Sequence, residues 1–231
     1  MKFLLNADHH HFFMKNRYIA FDELLSISEA KELKKALDAV IAQKLGMPAA
    51  HIKLTSPECI FGSGHDLWRK DPLIKKMVMQ KRFAEIASPL FSCTPLRLAY
   101  DQYVVSNPAA APFLHPKSLQ QMSCIQKITG GLLLILSETR AGSPISPQEF
   151  SVPQTIGSGI FLSPEFQIPW PKIFQLENLS ALLIVYTQEK SLYILEPQGI
   201  HTQALKKLGY GFGDHLKDHT HPIVLRYTQT T

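Results

Sequence analysis

Gly64-His65-Asp66-Leu67-Trp68-Arg69-Lys70-Asp71-Pro72, a helical stretch reaching Phe91, and then Arg97-Leu98-Ala99-Tyr100-Asp101-Gln102-Tyr103-Val104-Val105 set the architecture of this chain. Up to Pro95 the apolar residues recur at helical spacing; after it the period shortens and the segment 97–105 reads as a strand. Before the switch, Ala30, Leu33, Leu37, Val40, Ile41 and Leu45 line one helix face. Ser26 with Glu29 supplies a capping box, and Gly46 followed by Pro48 a stop. A second helical region spans about 72–91, with a break expected at Ser88-Pro89. After the switch, strands are expected at 122–129 and 132–137 with Gly130-Gly131 as the bend. Others are expected at 160–162, at 182–187 and 192–195 as a hairpin, and at 223–228, with a short lead-in strand at 18–22. Residues 141–171, rich in proline and glycine, read as a long ordered loop region around the strand 160–162.

Helices first and antiparallel strands afterwards define an α+β class, with helices packed on a β-sandwich or barrel. The 231 residues suffice for one large domain, and no linker divides them. The expected organisation is a single domain, 1–231, with a mainly helical layer at 1–95 and a mainly β core at 96–231.

The chain is 45% hydrophobic and carries 24 Lys and Arg against 19 Asp and Glu, a balance of +5. The basic residues come in scattered pairs, so solvated faces are expected rather than a nucleic-acid or membrane footprint. Cys59, Cys93 and Cys124 form no Cys-x-x-Cys pair and read as buried free thiols. The apolar stretch at Phe3-Leu4-Leu5 is too short for a signal core, and Leu132 to Leu136 is too short to span a bilayer. A cytoplasmic location is the expectation. His9-His10-His11 reads as an exposed polar stretch, and Gly209-Tyr210-Gly211-Phe212-Gly213 as a loop.

The order of segments at 64–105 resembles the front half of phytanoyl-CoA dioxygenase-like proteins, a branch of the non-haem Fe(II), 2-oxoglutarate-dependent oxygenases. The resemblance implies a double-stranded β-helix (jelly-roll) core flanked by helices. It also implies a His-x-Asp or His-x-Glu metal pair about fourteen residues past Asp101. This chain has His115-Pro116-Lys117 there, so an ammonium occupies the place of the carboxylate ligand. Two histidines, His201 and His215, compete for the second imidazole. His215 is preferred, because Arg226 follows it at the spacing the family gives the 2-oxoglutarate-binding arginine. The candidate metal residues are thus His115 and His215, and the candidate cosubstrate-binding residues Arg226 and Lys117.

Because Lys117 repels a divalent ion, the leading expectation is an oxygenase fold without its usual iron site, holding a small organic anion and no cofactor. One alternative is an active hydroxylase using Fe(II) and 2-oxoglutarate, with Asp101 or Asp214 as the carboxylate. Another is a metal-responsive nucleic-acid-binding regulator, prompted by the ten histidines and the basic charge. No helix-turn-helix pattern or Cys/His zinc spacing accompanies it, so nucleic acid is not the expected partner.

Overall fold

The computed structural model describes residues 5–111, 113–139, 150–196 and 201–226. Its centre is a six-stranded antiparallel sheet in the order β1-β4-β3-β5-β2-β6. The strands are β1 (Tyr18–Phe21), β2 (Leu96–Val105), β3 (Ile128–Ile135), β4 (Gly159–Leu162), β5 (Ser180–Gln188) and β6 (Ile223–Leu225). The helices are α1 (Ala7–Asn16), α2 (Ile27–Leu45), α3 (Pro57–Ser63), α4 (Pro72–Val78), α5 (Lys81–Leu90), α6 (Leu119–Met122) and α7 (Trp170–Phe174).

Strand alternation divides the core into two layers. On one face Leu98, Tyr103, Leu132, Leu134, Leu182, Ile184 and Tyr186 pack against α2, α4 and α5 through Leu33, Leu37, Ile74 and Phe83. On the other, Tyr100, Leu133, Ile135, Leu183 and Val185 meet Trp170, Phe174, Tyr193, Leu205 and Tyr210. Beyond the named strands, isolated bridges join Lys117 to Ile168, Ile125 to Tyr193 and Leu192 to His215. No helix among the described residues is long and apolar enough to cross a membrane.

Several sequence expectations are corrected. The helical region 72–91 breaks at Met79 and Gln80, not at Ser88-Pro89. Pro89 lies in the last turn of α5, where few hydrogen bonds remain to lose, while residues 79 and 80 carry no breaker signal. Gly130-Gly131 is not a bend but the middle of β3. A Cβ on Gly130 would lie 2.5 Å from the Phe91 ring, so the missing side chain admits a close neighbour. Residues 192–195 do not return along β5 as a hairpin; Leu192 and Tyr193 bridge to His215 and Ile125 instead. His9 to His11 sit inside α1, where the Asn6 side chain accepts from the His9 N–H and the His9 ring accepts from the Asn6 N–H. All three cysteines are free, and Cys124 is buried, but Cys59 is exposed. Part of the expected 141–171 loop, and positions 227 and 228 of the last strand, lie outside the described residues.

Gly157 holds the entry to β4. Its φ of 88° lies in the left-handed region, and a Cβ there would sit 2.2 Å from the Leu25 carbonyl oxygen. The Leu25 N–H in turn donates to the Gly157 carbonyl at 3.0 Å. Gly157→Ala is therefore expected to cost about 3 kcal/mol, from left-handed strain plus a backbone clash that no rotamer relieves. Equilibrium urea unfolding checks this, and a loss under 1 kcal/mol would contradict it.

Candidate functional site

The site begins at two backbone irregularities. Gly64 brings the segment after α3 against β2: the Tyr103 N–H donates to the Gly64 carbonyl at 2.8 Å, and a Cβ on Gly64 would lie 2.9 Å from both the Ile60 and Tyr103 carbonyl oxygens. Only glycine fits so close an approach, and it sets His65 in a bridge with Gln102. The second irregularity is a bulge in β2. Leu98 pairs with Tyr186 and Tyr100 with Val185, leaving Ala99 as the extra residue. Ala99 and Tyr100 consequently share the second core layer, and the strand parity beyond them is reversed. Tyr100 and Gln102 thus enter that layer, while Asp101 turns to the helical side.

Tyr100, Gln102, His65 and His201 meet there. The His65 and His201 rings stack with centroids 4.0 Å apart and planes within 1°. Tyr100 approaches the His65 ring at 5.0 Å edge-on, and Phe61 stacks on the far side of His201 at 6.3 Å. The Gln102 amide nitrogen donates to the carbonyls of Phe61 (2.8 Å) and Tyr103 (3.0 Å). Its oxygen is therefore the acceptor facing His201 Nε2 at 2.9 Å, which assigns the His201 proton to Nε2. Both His65 ring nitrogens are buried without a hydrogen-bond partner, and the buried Tyr100 hydroxyl has the Ser123 side chain beside it.

The electrostatics follow from burial. Burial, then the Lys44 ammonium and the Arg69 guanidinium, drives the His65 imidazole down to about 3. Burial, then the neighbouring His65, does the same to His201, also about 3. Both rings are neutral at pH 7. Asp101 is pushed up to about 8 by burial and by nearby Asp66, although the N–H groups of Trp68 (3.1 Å) and Leu67 (3.2 Å) donate to it and pull the other way.

A second network staples the 217–222 turn beside this layer. Arg69 reaches Asp66 at 2.9 Å, the Thr220 carbonyl, and His221 Nε2 at 3.3 Å. Arg97, only 4% exposed, donates to the Glu189 carbonyl at 3.0 Å, the His221 carbonyl, and Asp218 at 2.8 Å. His221, fully buried, is held down at about 3 by burial and by Arg69.

The residues singled out from the sequence sit elsewhere. His115 is exposed in a loop, and Lys117 is half-buried with its backbone bridged to Ile168. His215 is exposed, its backbone bridged to Leu192. Arg226 is 65% exposed, pairs with Asp218 at 3.2 Å, and lines a cleft of about 560 Å³ with Lys81, Glu85, Ser88 and Thr94. Of the two histidines competing for the second imidazole, it is His201 that lies inside. The two proposed replacement carboxylates are engaged: Asp101 with the amides of Leu67 and Trp68, Asp214 with the Gly211 N–H at 2.8 Å.

An Fe(II) centre of the oxygenase kind needs two imidazoles and a carboxylate on one face. Among the described residues no three His, Cys, Asp or Glu side chains are gathered to hold a metal ion. The stacked rings of His65 and His201 do not substitute. A ligand nitrogen binds a metal in its own ring plane, and two parallel planes this far apart share no such point. These residues do not fit an iron site. Sequence reasoning passed over His65, Tyr100 and Gln102 as site residues; the available signal was a polar Tyr-Asp-Gln run inside an apolar strand.

No protein-family model matches the chain, and no curated protein matches it. Among solved structures, the non-haem α-ketoglutarate-dependent carbocyclase SnoK from nogalamycin biosynthesis superposes with a TM-score of 0.69 at 16% identity, covering 94% of this chain and 96% of that one. The epimerase SnoN of the same biosynthesis gives 0.64 at 16%, covering 94% and 97%. EctD from S. alaskensis, with 2-oxoglutarate and 5-hydroxyectoine, gives 0.56 at 13%, covering 80% and 77%. At these identities the likeness is one of fold: the chain is built like the non-haem iron, 2-oxoglutarate-dependent oxygenases.

Proposed function

We propose that this chain is a phytanoyl-CoA dioxygenase-like, double-stranded β-helix protein of the cytoplasm that has lost the usual iron site. Its chemistry is then absent or altered, and it holds a small organic anion through Arg226 or Lys117. The observation that carries this reading is the lysine at position 117, where the oxygenase pattern calls for a carboxylate. Two unit charges ~4 Å apart interact by about 1 kcal/mol in water, and a divalent ion doubles it. Repulsion by Lys117 and loss of the carboxylate's attraction act in the same direction. The exposed guanidinium of Arg226, beside Lys81 in an open cleft, supports the anion.

Anaerobic incubation with Fe(II), with and without 2-oxoglutarate, followed by metal analysis and a succinate assay, tests the reading. Iron well below one per chain and no succinate are expected. One tightly held Fe(II) per chain with decarboxylation of 2-oxoglutarate would overturn it in favour of an active hydroxylase. Lys117→Asp exchanges a repulsive unit charge for an attractive one. At this half-buried position it is expected to tighten Fe(II) binding on the order of tenfold. Unchanged affinity would mean that position 117 does not face the metal.

A further inference from the structure

The cleft that carries Arg226 presents both signs of charge. Along α5, Lys81, Glu85, Ser88 and Pro89 recur at helical spacing, so one stripe of the helix forms a wall. Thr94 and the last strand, through Val224, Leu225 and Arg226, form the rest, around a space of about 560 Å³. The Lys81, Glu85 and Arg226 side chains are 73%, 55% and 65% exposed, so a solute reaches all three. Pro89, Val224 and Leu225 add an apolar surface.

These charges select the ligand. Glu85 pairs with Lys81 at 3.4 Å, and Arg226 with Asp218 at 3.2 Å. Both pairs are exposed, and exposed ion pairs hold so weakly that a ligand can replace them. Two cations and one carboxylate line the cleft, so a plain carboxylate meets Glu85 as a like charge, and a plain amine meets Lys81 and Arg226. A molecule with one carboxylate and one ammonium avoids both repulsions. Its ammonium takes Glu85 from Lys81, and its carboxylate is met by the freed Lys81 and by the Arg226 guanidinium. The hydroxyls add little to the choice: Ser88 donates to the Cys93 carbonyl at 2.8 Å and lies against the Thr94 hydroxyl. The apolar surface suits a short aliphatic group.

We infer that the cleft between α5 and β6 binds a small zwitterion of the α-amino-acid class with an aliphatic side chain, its carboxylate on Arg226 and Lys81 and its ammonium on Glu85. The inference rests on the preceding reading in placing an organic anion at Arg226, and it adds the second charge that this anion carries.

Heteronuclear NMR titration of the full chain at pH 7 and low salt tests it, following the backbone amides of Glu85, Ser88, Val224 and Arg226. The probes are L-leucine, 4-methylpentanoate (leucine without its amine) and 3-methylbutylamine (leucine without its carboxylate). Leucine is expected to move these signals saturably, with an affinity about fivefold above that of either fragment, the gain that one more exposed ion pair can supply. Glu85→Gln should erase leucine's advantage over 4-methylpentanoate, while Arg226→Ala should weaken both alike. Both substitutions fall on exposed side chains, so the fold is expected to survive them. Equal affinity of leucine and 4-methylpentanoate in the wild type, both sensitive to Arg226→Ala, overturns the inference and leaves the organic anion at Arg226 standing. An advantage that survives Glu85→Gln puts the ammonium elsewhere and overturns it as well. If no probe moves these signals, the anion is withdrawn from Arg226 altogether, and the inference with it.

Discussion

Acidification from pH 6.5 to 4.5 is expected to unfold this protein. His65, His201 and His221 are each held near 3 in the fold, against about 6.5 in an unfolded chain. Above pH 6.5 both states are neutral and the contribution is complete. Below it only the unfolded chain takes up the protons, so stability falls by about 1.4 kcal/mol per pH unit for each ring, or roughly 4 for three. Asp101 works in the opposite sense. Its folded value is raised to about 8, so between pH 4 and 8 the unfolded chain ionises while the fold stays protonated. That costs about 1.4 kcal/mol per unit as pH rises. Between pH 4 and 6 the net slope is roughly 3 kcal/mol per unit, and two units match the whole stability of an ordinary domain. Above pH 6.5 Asp101 acts alone and stability declines gently. Urea midpoints at stepped pH should therefore peak near pH 6.5, steep on the acid side and shallow on the alkaline side. A flat profile from pH 4.5 to 7 would mean that these rings are not buried as neutral groups.

Arg97→Ala is expected to cost about 3 kcal/mol and roughly 10 °C in Tm, because a nearly fully buried guanidinium binds two main-chain carbonyls, of Glu189 and His221, and the Asp218 carboxylate. Removing it strands both carbonyls and frees the 217–222 turn. Asp218→Ala separates the two contributions. Asp218 is 60% exposed, so losing its ion pairs with Arg97 and Arg226 should cost no more than about 1 kcal/mol. Comparable losses from the two variants would place the staple in the ion pair instead of in the carbonyls.

What was legible in the sequence was whatever depends on neighbours along the chain. Helix α2 was readable to within two residues, because Ser26, Glu29 and Gly46 cap it locally and its apolar stripe is regular. β2 and β4 were readable for the same reason. The break between α4 and α5 was not, since Met79 and Gln80 are ordinary helix formers whose conformation is set by packing. Glycine misled at Gly130, where the absence of a side chain accommodates the Phe91 ring instead of making a turn. The interior cluster was hidden for a related reason. His65, Tyr100 and His201 are far apart in sequence and meet only because Gly64 allows one backbone to approach another.

The extra residue in β2 gives the strand a counting rule. Leu98 and Tyr100 lie in opposite layers, as consecutive strand residues would, and Ala99 is the one the ladder leaves uncounted. Deleting it would let Tyr100 follow Leu98 in regular pairing, with Tyr100, Asp101 and Gln102 still in the layers they occupy. Losing a residue inside the paired stretch that follows would instead shift the parity of every residue on one side of the gap and send those side chains to the opposite layer. Two chains of this fold that differ in length by this alanine alone can therefore line their interiors with the same half of the strand.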